Sequence, residues 1–411
     1  MGRLAVLLLL NSAVGELPPN CRTAKKTVQA LWKRSVYGPR ESERVYCPLR
    51  QDPIDHLQAS FESIAGQANA LKTVRAALMK NVRLGRGPLV MHIAGPSGVG
   101  KSLTARSVAR AVMEDTASEG GADWCGVSVI NGHYYSSRDM ARIQSDSRAI
   151  MEQIGSQLQV CPRSVVILED IQHMHEALLQ SLATAFDDAF PHVHISASAA
   201  QPEEKAAEKQ TSMSPVAAKK EKNAYEVSTA AAIFVLVSDL GEESLDPNMG
   251  REMAKMAVRN ATRKHWPSAK LPKFVHEIVP FLPLNEEEMA LVAEFELRKY
   301  RDELQRENIF TIGDEPWGGV LSWTPEVPAH ISRQVRSHDF LHEIQGRGVQ
   351  QHVQTVVDNA WDLREEAGDM GLFDNLHLEV VDSAITSIAD RVVGDDEYNR
   401  NGQHHGVRDL R

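Results

Sequence analysis

Residues 89–102 read Leu-Val-Met-His-Ile-Ala-Gly-Pro-Ser-Gly-Val-Gly-Lys-Ser. The first five of these residues form a short apolar run, which is typical of a buried strand. A helical pattern of apolar residues begins at Leu103 and continues to Val112. Between them stands the pattern G-x-x-x-x-G-K-[ST], formed by Gly95, Pro96, Ser97, Gly98, Val99, Gly100, Lys101 and Ser102. The order of strand, glycine-rich loop and helix predicts a phosphate-binding loop.

This loop has the chemistry to bind a nucleoside triphosphate. Glycines allow consecutive backbone N–H groups to wrap around a phosphate, and the helix that follows adds a favourable dipole. We expect Lys101 to reach the β- and γ-phosphates and the hydroxyl of Ser102 to coordinate Mg²⁺. A glycine-rich turn can arise by chance, but the flanking strand and helix patterns argue against that. The predicted cofactors are therefore ATP and Mg²⁺.

Three further apolar runs alternate with helical stretches. They span residues 127–130, 165–168 and 233–237. This alternation predicts an α/β fold built on a doubly wound parallel sheet. In such sheets the ligand lies at the carboxyl ends of the strands.

The strand predicted at residues 165–168 ends in two carboxylates, Glu169 and Asp170. We expect Glu169 to hold Mg²⁺ through water and Asp170 to polarise the water that attacks the phosphate. The alternative is that the pair is only the acidic beginning of the next helix. Because it follows a buried strand downstream of a phosphate loop, the catalytic interpretation is favoured.

Length, composition and charge exclude several classes of protein. A chain of 411 residues exceeds one minimal domain, and 42% hydrophobic with 24% charged residues excludes a wholly disordered chain. The net charge of −10 makes nonspecific nucleic-acid binding a poor candidate function. Residues 1–50 nevertheless carry nine Lys and Arg against three Glu, a net charge of +6, which leaves −16 for the rest.

The amino-terminal 15 residues have the layout of a secretory signal peptide. Arg3 precedes a run of seven apolar residues at 4–10, and the small residues Ala13 and Gly15 follow. The run is too short for a membrane-spanning helix, which needs about 20 residues. We expect cleavage after Gly15 and entry into the secretory pathway, with a short membrane-lying anchor as the alternative.

The basic segment at residues 16–50 follows this signal. Apolar residues recur at near-helical spacing within residues 25–37, so the segment could lie on an anionic membrane surface or pack on the main domain. A disulfide between Cys21 and Cys47 is permitted in an oxidising lumen, although the sequence does not show that it forms. Cys161 stands beside a buried strand and is expected to be a core thiol.

With these motifs in place, the chain resembles a Clp-type AAA+ ATPase and, most closely, the torsin family. Residues 64–67 resemble the motif that lies near the adenine. Residues 161–170 and 174–179 resemble the torsin Walker B segment and the helix after it. Residues 274–284, which include Val-Pro-Phe-Leu-Pro-Leu, resemble the torsin segment that joins the two subdomains. Residues 347–354 resemble the sensor 2 helix.

The resemblance covers roughly residues 50–385 and implies a division into subdomains. It implies a large nucleotide-binding subdomain at 51–285 and a smaller, mainly helical lid at 286–390. Within the lid, helices are predicted at 286–304 and 348–363, with a strand at 376–381. The Ala-, Lys- and Glu-rich stretch 197–228 is predicted to be a disordered insertion, and 391–411 a loose tail.

The resemblance also implies a function, a location and partners. Torsins are ATPases of the endoplasmic reticulum lumen and perinuclear space that act on protein clients. In that family, membrane-embedded activators supply an arginine finger in trans, and Phe274 stands here where many Clp proteins carry that arginine. Arg347 is implied to contact the γ-phosphate. A homo-oligomer is implied, peripheral membrane contact is possible, and no nucleic-acid partner is expected.

Three departures from the family pattern leave the function open. The family usually ends Walker B with Asp-Glu, so Asp170 is one methylene shorter than the expected base. Asp239 fills the sensor 1 position, where a neutral polar residue is usual, and would repel phosphate unless it is protonated or contacts the metal. The chain is therefore either a slow ATP hydrolase or an ATP-binding scaffold with negligible hydrolysis. A threading unfoldase with Tyr134 and Tyr135 in its pore is the third hypothesis.

Overall fold

A computed structural model gives the fold of most of the chain. The described residues are 49–62, 64–85, 87–113, 126–187, 189, 191–195, 225–269, 271–368 and 370–390. The expected signal peptide, nearly all of the basic segment, the loose tail and residues 197–224 of the insertion lie outside these residues. Among the described helices, none is both long and apolar enough to pass through a bilayer.

The chain divides into two compact units, Met1–Pro283 and Leu284–Arg411. This division lies two residues from the subdomain boundary expected at 285. The first unit contains, in chain order, α1 (Pro53–Phe61), α2 (Ala68–Leu84), β1 (Leu89–Ala94), α3 (Lys101–Val112), β2 (Val127–Asn131), α4 (Met140–Val160), β3 (Val165–Glu169), α5 (Glu176–Leu182), β4 (His192–Ile195), β5 (Tyr225–Ser228), β6 (Ile233–Ser238), α6 (Arg251–His265), α7 (Leu271–Phe274) and β7 (Glu277–Pro280).

A five-stranded parallel sheet forms the centre of the first unit, in the order β2-β3-β6-β1-β7. The four strands predicted from apolar runs are confirmed, and so is the mixed α/β class with a parallel sheet. Every residue of β1, β3 and β6 is buried. Such continuous apolar strands are expected in a parallel sheet that is covered on both faces.

The structure adds a fifth strand and moves one helix boundary. β7 lies within the segment 274–284 and pairs with β1 at the edge of the sheet. It contributes only Ile278 and Val279 as large aliphatic residues, too short a run to predict a strand. Helix α3 begins at Lys101 instead of Leu103, and the Leu103 side chain is exposed.

The expectation of disorder over 197–228 is wrong for its last four residues. Tyr225–Ser228 forms β5, which pairs antiparallel with β4. Val227 is buried in the main apolar cluster of this unit, together with Val193 from β4. Burial of the Val227 side chain offsets part of the conformational entropy lost when this short strand is ordered. That burial depends on pairing with β4, which lies outside the insertion.

The second unit is mainly helical. It contains α8 (Glu286–Glu307), β8 (Thr311–Ile312), β9 (Glu315–Pro316), β10 (Leu321–Trp323), α9 (Glu326–Ser337), α10 (Asp339–Glu343), α11 (Gly346–Ala367), β11 (Asn375–Val381) and β12 (Ala384–Asp390). The helices predicted at 286–304 and 348–363 and the strand at 376–381 are confirmed, each with somewhat wider bounds.

Local capping and a partly buried hydrogen bond organise these helices. Asn285 and Glu288 form a capping box that fixes the beginning of α8. The Tyr300 hydroxyl on α8 donates to Asp358 on α11 at 2.7 Å, which joins the two long helices. β11 pairs with β10 and with β12, so it is the central strand of a three-stranded sheet.

Candidate functional site

The carboxyl ends of three adjacent strands bring the motif residues of the first unit together. The glycine-rich loop follows β1, Glu169 ends β3 and Asp239 follows β6. β6 lies between β1 and β3, with Ala94 opposite Ser238 in the register. Residues separated by up to 144 positions in the chain thus meet at one edge of the sheet. Parallel strand ends are the usual place for ligands in this class of fold.

The loop has a backbone that only glycine permits at its first position. A Cβ at Gly95 would lie 2.1 Å from the carbonyl oxygen of Phe281, so any larger residue would collide with the backbone after β7. Gly100 has φ 96° and precedes α3, whose first turn has no side-chain cap. Among the described hydrogen bonds, none is donated by the backbone N–H of Gly98 or Gly100. The loop and the beginning of α3 therefore present backbone donors suited to an anion.

Lys101 is buried against this loop, with an exposed fraction of 7%. Its Nζ donates to the carbonyl oxygens of Gly95 at 2.8 Å and Pro96 at 2.5 Å. The same atom lies 2.7 Å from Oδ1 of Asp239. The ammonium is therefore held by the loop and by a carboxylate from the end of a different strand.

This ion pair changes the interpretation of Asp239. We expected its charge near the phosphate to require protonation or a metal ion. In the structure the charge is compensated by Lys101, and the second oxygen, Oδ2, accepts from Nε2 of Gln172 at 3.3 Å. Gln172 lies in the 3₁₀ turn Ile171–His173, directly after Asp170. The sequence analysis missed Gln172, since no motif marks it.

Glu169 is buried, with an exposed fraction of 9%, and its Oε1 has no hydrogen-bond partner among the described residues. Nη2 of Arg106 on α3 lies 3.6 Å from that oxygen. This distance is short enough for charge attraction but too long for a hydrogen bond. The carboxylate thus retains an acceptor for another partner, as a metal ligand or a water ligand requires. The sequence analysis also missed Arg106. Its position in the sequence, five residues after Lys101 and within the predicted helix, was a signal that could have indicated it.

Asp170 has a left-handed backbone, with φ 53°, and its carboxylate is partly exposed. Nε2 of His133 lies 3.7 Å from its Oδ2, and the rings of His133 and His173 stack with their centroids 3.9 Å apart. Gly132 allows the approach, because a Cβ there would lie 2.3 Å from the Asp170 carbonyl oxygen. The turn after β2 thus packs against the turn that carries the expected base.

A buried histidine lies beneath the site. Nε2 of His92 on β1 is 2.8 Å from the hydroxyl of Ser238 on β6. Burial lowers the pKa of His92 to about 4, so the ring is neutral at physiological pH. Ser238 precedes Asp239, and its carbonyl accepts from the backbone N–H of Gly95 at 3.3 Å. This contact joins the two strand ends that carry the Lys101–Asp239 pair.

The structure also shows the surroundings of Arg347, Phe274, Tyr134 and Tyr135, for which the sequence raised specific expectations. Arg347 lies in the first turn of α11, in the second unit, and its side chain is exposed, so its phosphate contact stays a prediction. Phe274 ends α7 and packs partly buried against the main apolar cluster. Tyr134 is 70% exposed, whereas Tyr135 packs against that cluster, so the aromatic pair is divided. A pore role for the pair stays a prediction.

Cys161 differs from its expected state. It is disulfide-bonded in the structure, so the expectation of a core thiol is wrong. The other three cysteines, Cys21, Cys47 and Cys125, all lie outside the described residues. Its place between α4 and β3 puts the Cys161 sulfur 3.2 Å from a Cβ built at Gly126, just before β2.

The residues present fit a nucleotide with its Mg²⁺. Backbone donors and a buried ammonium suit the phosphates, and the unsatisfied oxygen of Glu169 together with the Ser102 hydroxyl suits the metal. No cluster of three or more His, Cys, Asp or Glu side chains that could hold a metal occurs within the described residues. A metal bound chiefly through phosphate oxygens and water does not need one.

Comparison with models of protein families finds none that matches this chain, and comparison with curated proteins finds no significant match.

Proposed function

We propose that the chain is a torsin-like AAA+ ATPase that binds ATP with Mg²⁺ and hydrolyses it slowly to change the conformation of protein partners. The observation that carries the proposal is the ion pair of buried Lys101 with Asp239 after β6, beside the end of the adjacent parallel strand β3, where Glu169 and Asp170 follow one another. The strand order β2-β3-β6-β1-β7 supports a AAA+ large subdomain. The helical second unit is in keeping with a lid.

Each residue of the site has a role in this proposal. The loop amides and Lys101 hold the phosphates, while Ser102 and Glu169 hold the metal. Mg²⁺ bound with ATP supplies neutralisation of the phosphate charge. Asp170 accepts a proton from the attacking water, and His133, 3.7 Å away, orients its carboxylate. The resemblance implies a contact of Arg347 with the γ-phosphate, and this contact stays a prediction.

Slow turnover follows from the base and from the missing finger. Asp170 is shorter than the usual glutamate, and general-base catalysis is worth about 10²–10⁴-fold in rate. Phe274 cannot replace an arginine finger, which is worth about 10³–10⁵-fold. A membrane-embedded activator would supply that arginine in trans to a homo-oligomer of this chain. Among locations, the endoplasmic reticulum lumen or perinuclear space is favoured, since the disulfide of Cys161 requires an oxidising compartment.

A second function, an ATP-binding scaffold without hydrolysis, is favoured by one specific observation. Lys101 is already paired with a carboxylate, and three acidic side chains lie at the carboxyl ends of two adjacent strands, β3 and β6. Such a site can hold a nucleotide yet fail to stabilise the additional negative charge that develops during phosphoryl transfer. Binding and hydrolysis must therefore be measured separately.

Single-turnover hydrolysis of ATP by the purified full chain separates the two functions. We expect slow turnover that increases when membranes bearing candidate activators are added. Lys101→Ala is expected to abolish nucleotide binding, and Asp170→Asn to abolish turnover with binding retained. Asp170→Glu restores the length of the usual base and should raise the rate about tenfold or more.

The outcomes are distinct for the two candidates. Tight binding with no turnover under any condition, including Asp170→Glu, rejects the ATPase and supports the scaffold. Binding that is equally weak in the wild-type chain and Lys101→Ala rejects both.

A further inference from the structure

We infer that Asp239 is an internal competitor of phosphate for the Lys101 ammonium, and that it lowers the affinity of the site for nucleotide. The inference rests on the proposed ATP site and deepens it. It assigns to the sensor 1 position a role in binding that differs from placing the attacking water.

The hydrogen bonds of Lys101 carry the first step of the argument. An ammonium has three N–H donors. At least three acceptors surround Nζ in the described part of the chain, namely the carbonyls of Gly95 and Pro96 and the Oδ1 of Asp239. A phosphate oxygen can therefore be bound by Lys101 only when one of these acceptors is given up.

Of the three acceptors, Asp239 competes most strongly with an incoming phosphate for the ammonium. It carries a full negative charge, so it binds the ammonium more strongly than a carbonyl does and repels the phosphate directly. It is also the acceptor that can leave, because its side chain is 37% exposed and can turn toward water. The two carbonyls belong to the loop itself and stay close to the lysine.

A second set of contacts supports Asp239 in the orientation that faces Lys101. Gln172 donates to Oδ2, and the Gln172 backbone carbonyl lies 2.9 Å from Nε2 of His265 on α6. The hydroxyl of Ser238 accepts from the N–H of Leu240 at 3.3 Å. The carboxylate therefore faces Lys101 in a supported geometry.

Opposite effects on affinity and on stability distinguish competition from a structural role. Asp239→Asn keeps the size of the side chain and removes its charge. Without nucleotide, the buried ammonium loses its counter-ion, so the melting temperature should fall. With nucleotide, the competing charge is gone, so a fluorescent ATP analogue with Mg²⁺ should bind about fivefold more tightly.

Two further variants sharpen the test. Glu243→Gln makes the same change of charge four residues later, at an exposed side chain, and should alter neither affinity nor melting temperature. Gln172→Ala removes the hydrogen bond that holds Asp239, so it should tighten binding in the same direction by about twofold. It also keeps the inference testable if Asp239→Asn does not fold.

Titration of the full-length variants with the ATP analogue decides the matter. Tighter binding by Asp239→Asn, with Glu243→Gln unchanged, supports the inference. Unchanged or weaker binding by Asp239→Asn, while the wild-type chain binds, overturns the inference alone and leaves the ATP site intact. Absence of binding in every variant, including Asp239→Asn, overturns the inference and the proposed function together.

Discussion

His92 illustrates at the residue scale how a polar side chain is accommodated under the candidate site. It lies on β1, next to the central strand β6, with an exposed fraction of 1%. The hydroxyl of Ser238 satisfies one ring nitrogen, and burial favours the neutral form. Because the unfolded chain binds a proton near pH 6.5 and the folded chain only near pH 4, acid should favour unfolding.

The first prediction concerns this pH dependence. Between the unfolded pKa of 6.5 and the folded pKa of about 4, the unfolded state carries the extra proton, so stability falls as the pH falls. At pH 5.0 the His92 contribution to this loss should be on the order of 2 kcal/mol relative to pH 7.5. In His92→Gln that part of the loss should disappear in urea unfolding at the two pH values.

An exposed histidine provides the control for this measurement. His56→Gln should show the same loss of stability between pH 7.5 and 5.0 as the wild-type chain, because the His56 side chain is exposed. Equal pH dependence in His92→Gln and the wild-type chain would contradict the assignment of a buried neutral ring.

At the element scale, the site depends on turns that follow the strands. The turn after β2 contacts the turn after β3 at Gly132 and Asp170, and the His133–His173 stack adds to this contact. Neither contact follows from periodicity, which predicts strands and helices but not how the turns between them pack. Strands β2 and β3 could be predicted from their apolar residues, whereas the position of Asp170 relative to His133 could not.

Gly132→Ala tests the contact between these turns. The added Cβ would lie 2.3 Å from the Asp170 carbonyl oxygen, so the turn that carries Asp170 must move. We expect a loss of about 1–3 kcal/mol in the free energy of unfolding and a lower single-turnover rate of ATP hydrolysis. Gly250→Ala is the control for the hydrolysis rate, since a Cβ there meets nothing within 4 Å. An unchanged rate in Gly132→Ala would show that Asp170 does not depend on this contact.

At the scale of the whole molecule, two features bear on the cellular compartment in which the chain folds. The disulfide of Cys161 and the sequence Asn260-Ala261-Thr262 both suit the secretory pathway. Asn260 lies on α6 with its side chain exposed, so a glycan could extend into solvent. The expected signal peptide, which would direct the chain there, lies outside the described residues.

Translation of the full chain with microsomes tests this location. We expect protection from added protease and one glycan, seen as a mass shift that endoglycosidase H removes. Asn260→Gln should lose the shift but keep the protection, because only the glycan acceptor is changed. Digestion of the chain without any shift would place it outside the lumen and reject a torsin-like role there.

The local features of this protein could be predicted from its sequence alone. The phosphate-loop pattern, four of the five strands in the parallel sheet and the long helices of the second unit each depend on neighbouring residues, whose spacing is visible in the chain. Only the tertiary structure decided that Asp239 pairs with Lys101, 138 residues earlier, and that Gln172 supports it. It also decided that Tyr225–Ser228 is a strand and that Cys161 is bonded. These features depend on the order of strands in the sheet and on partners distant in the chain, which local spacing does not specify.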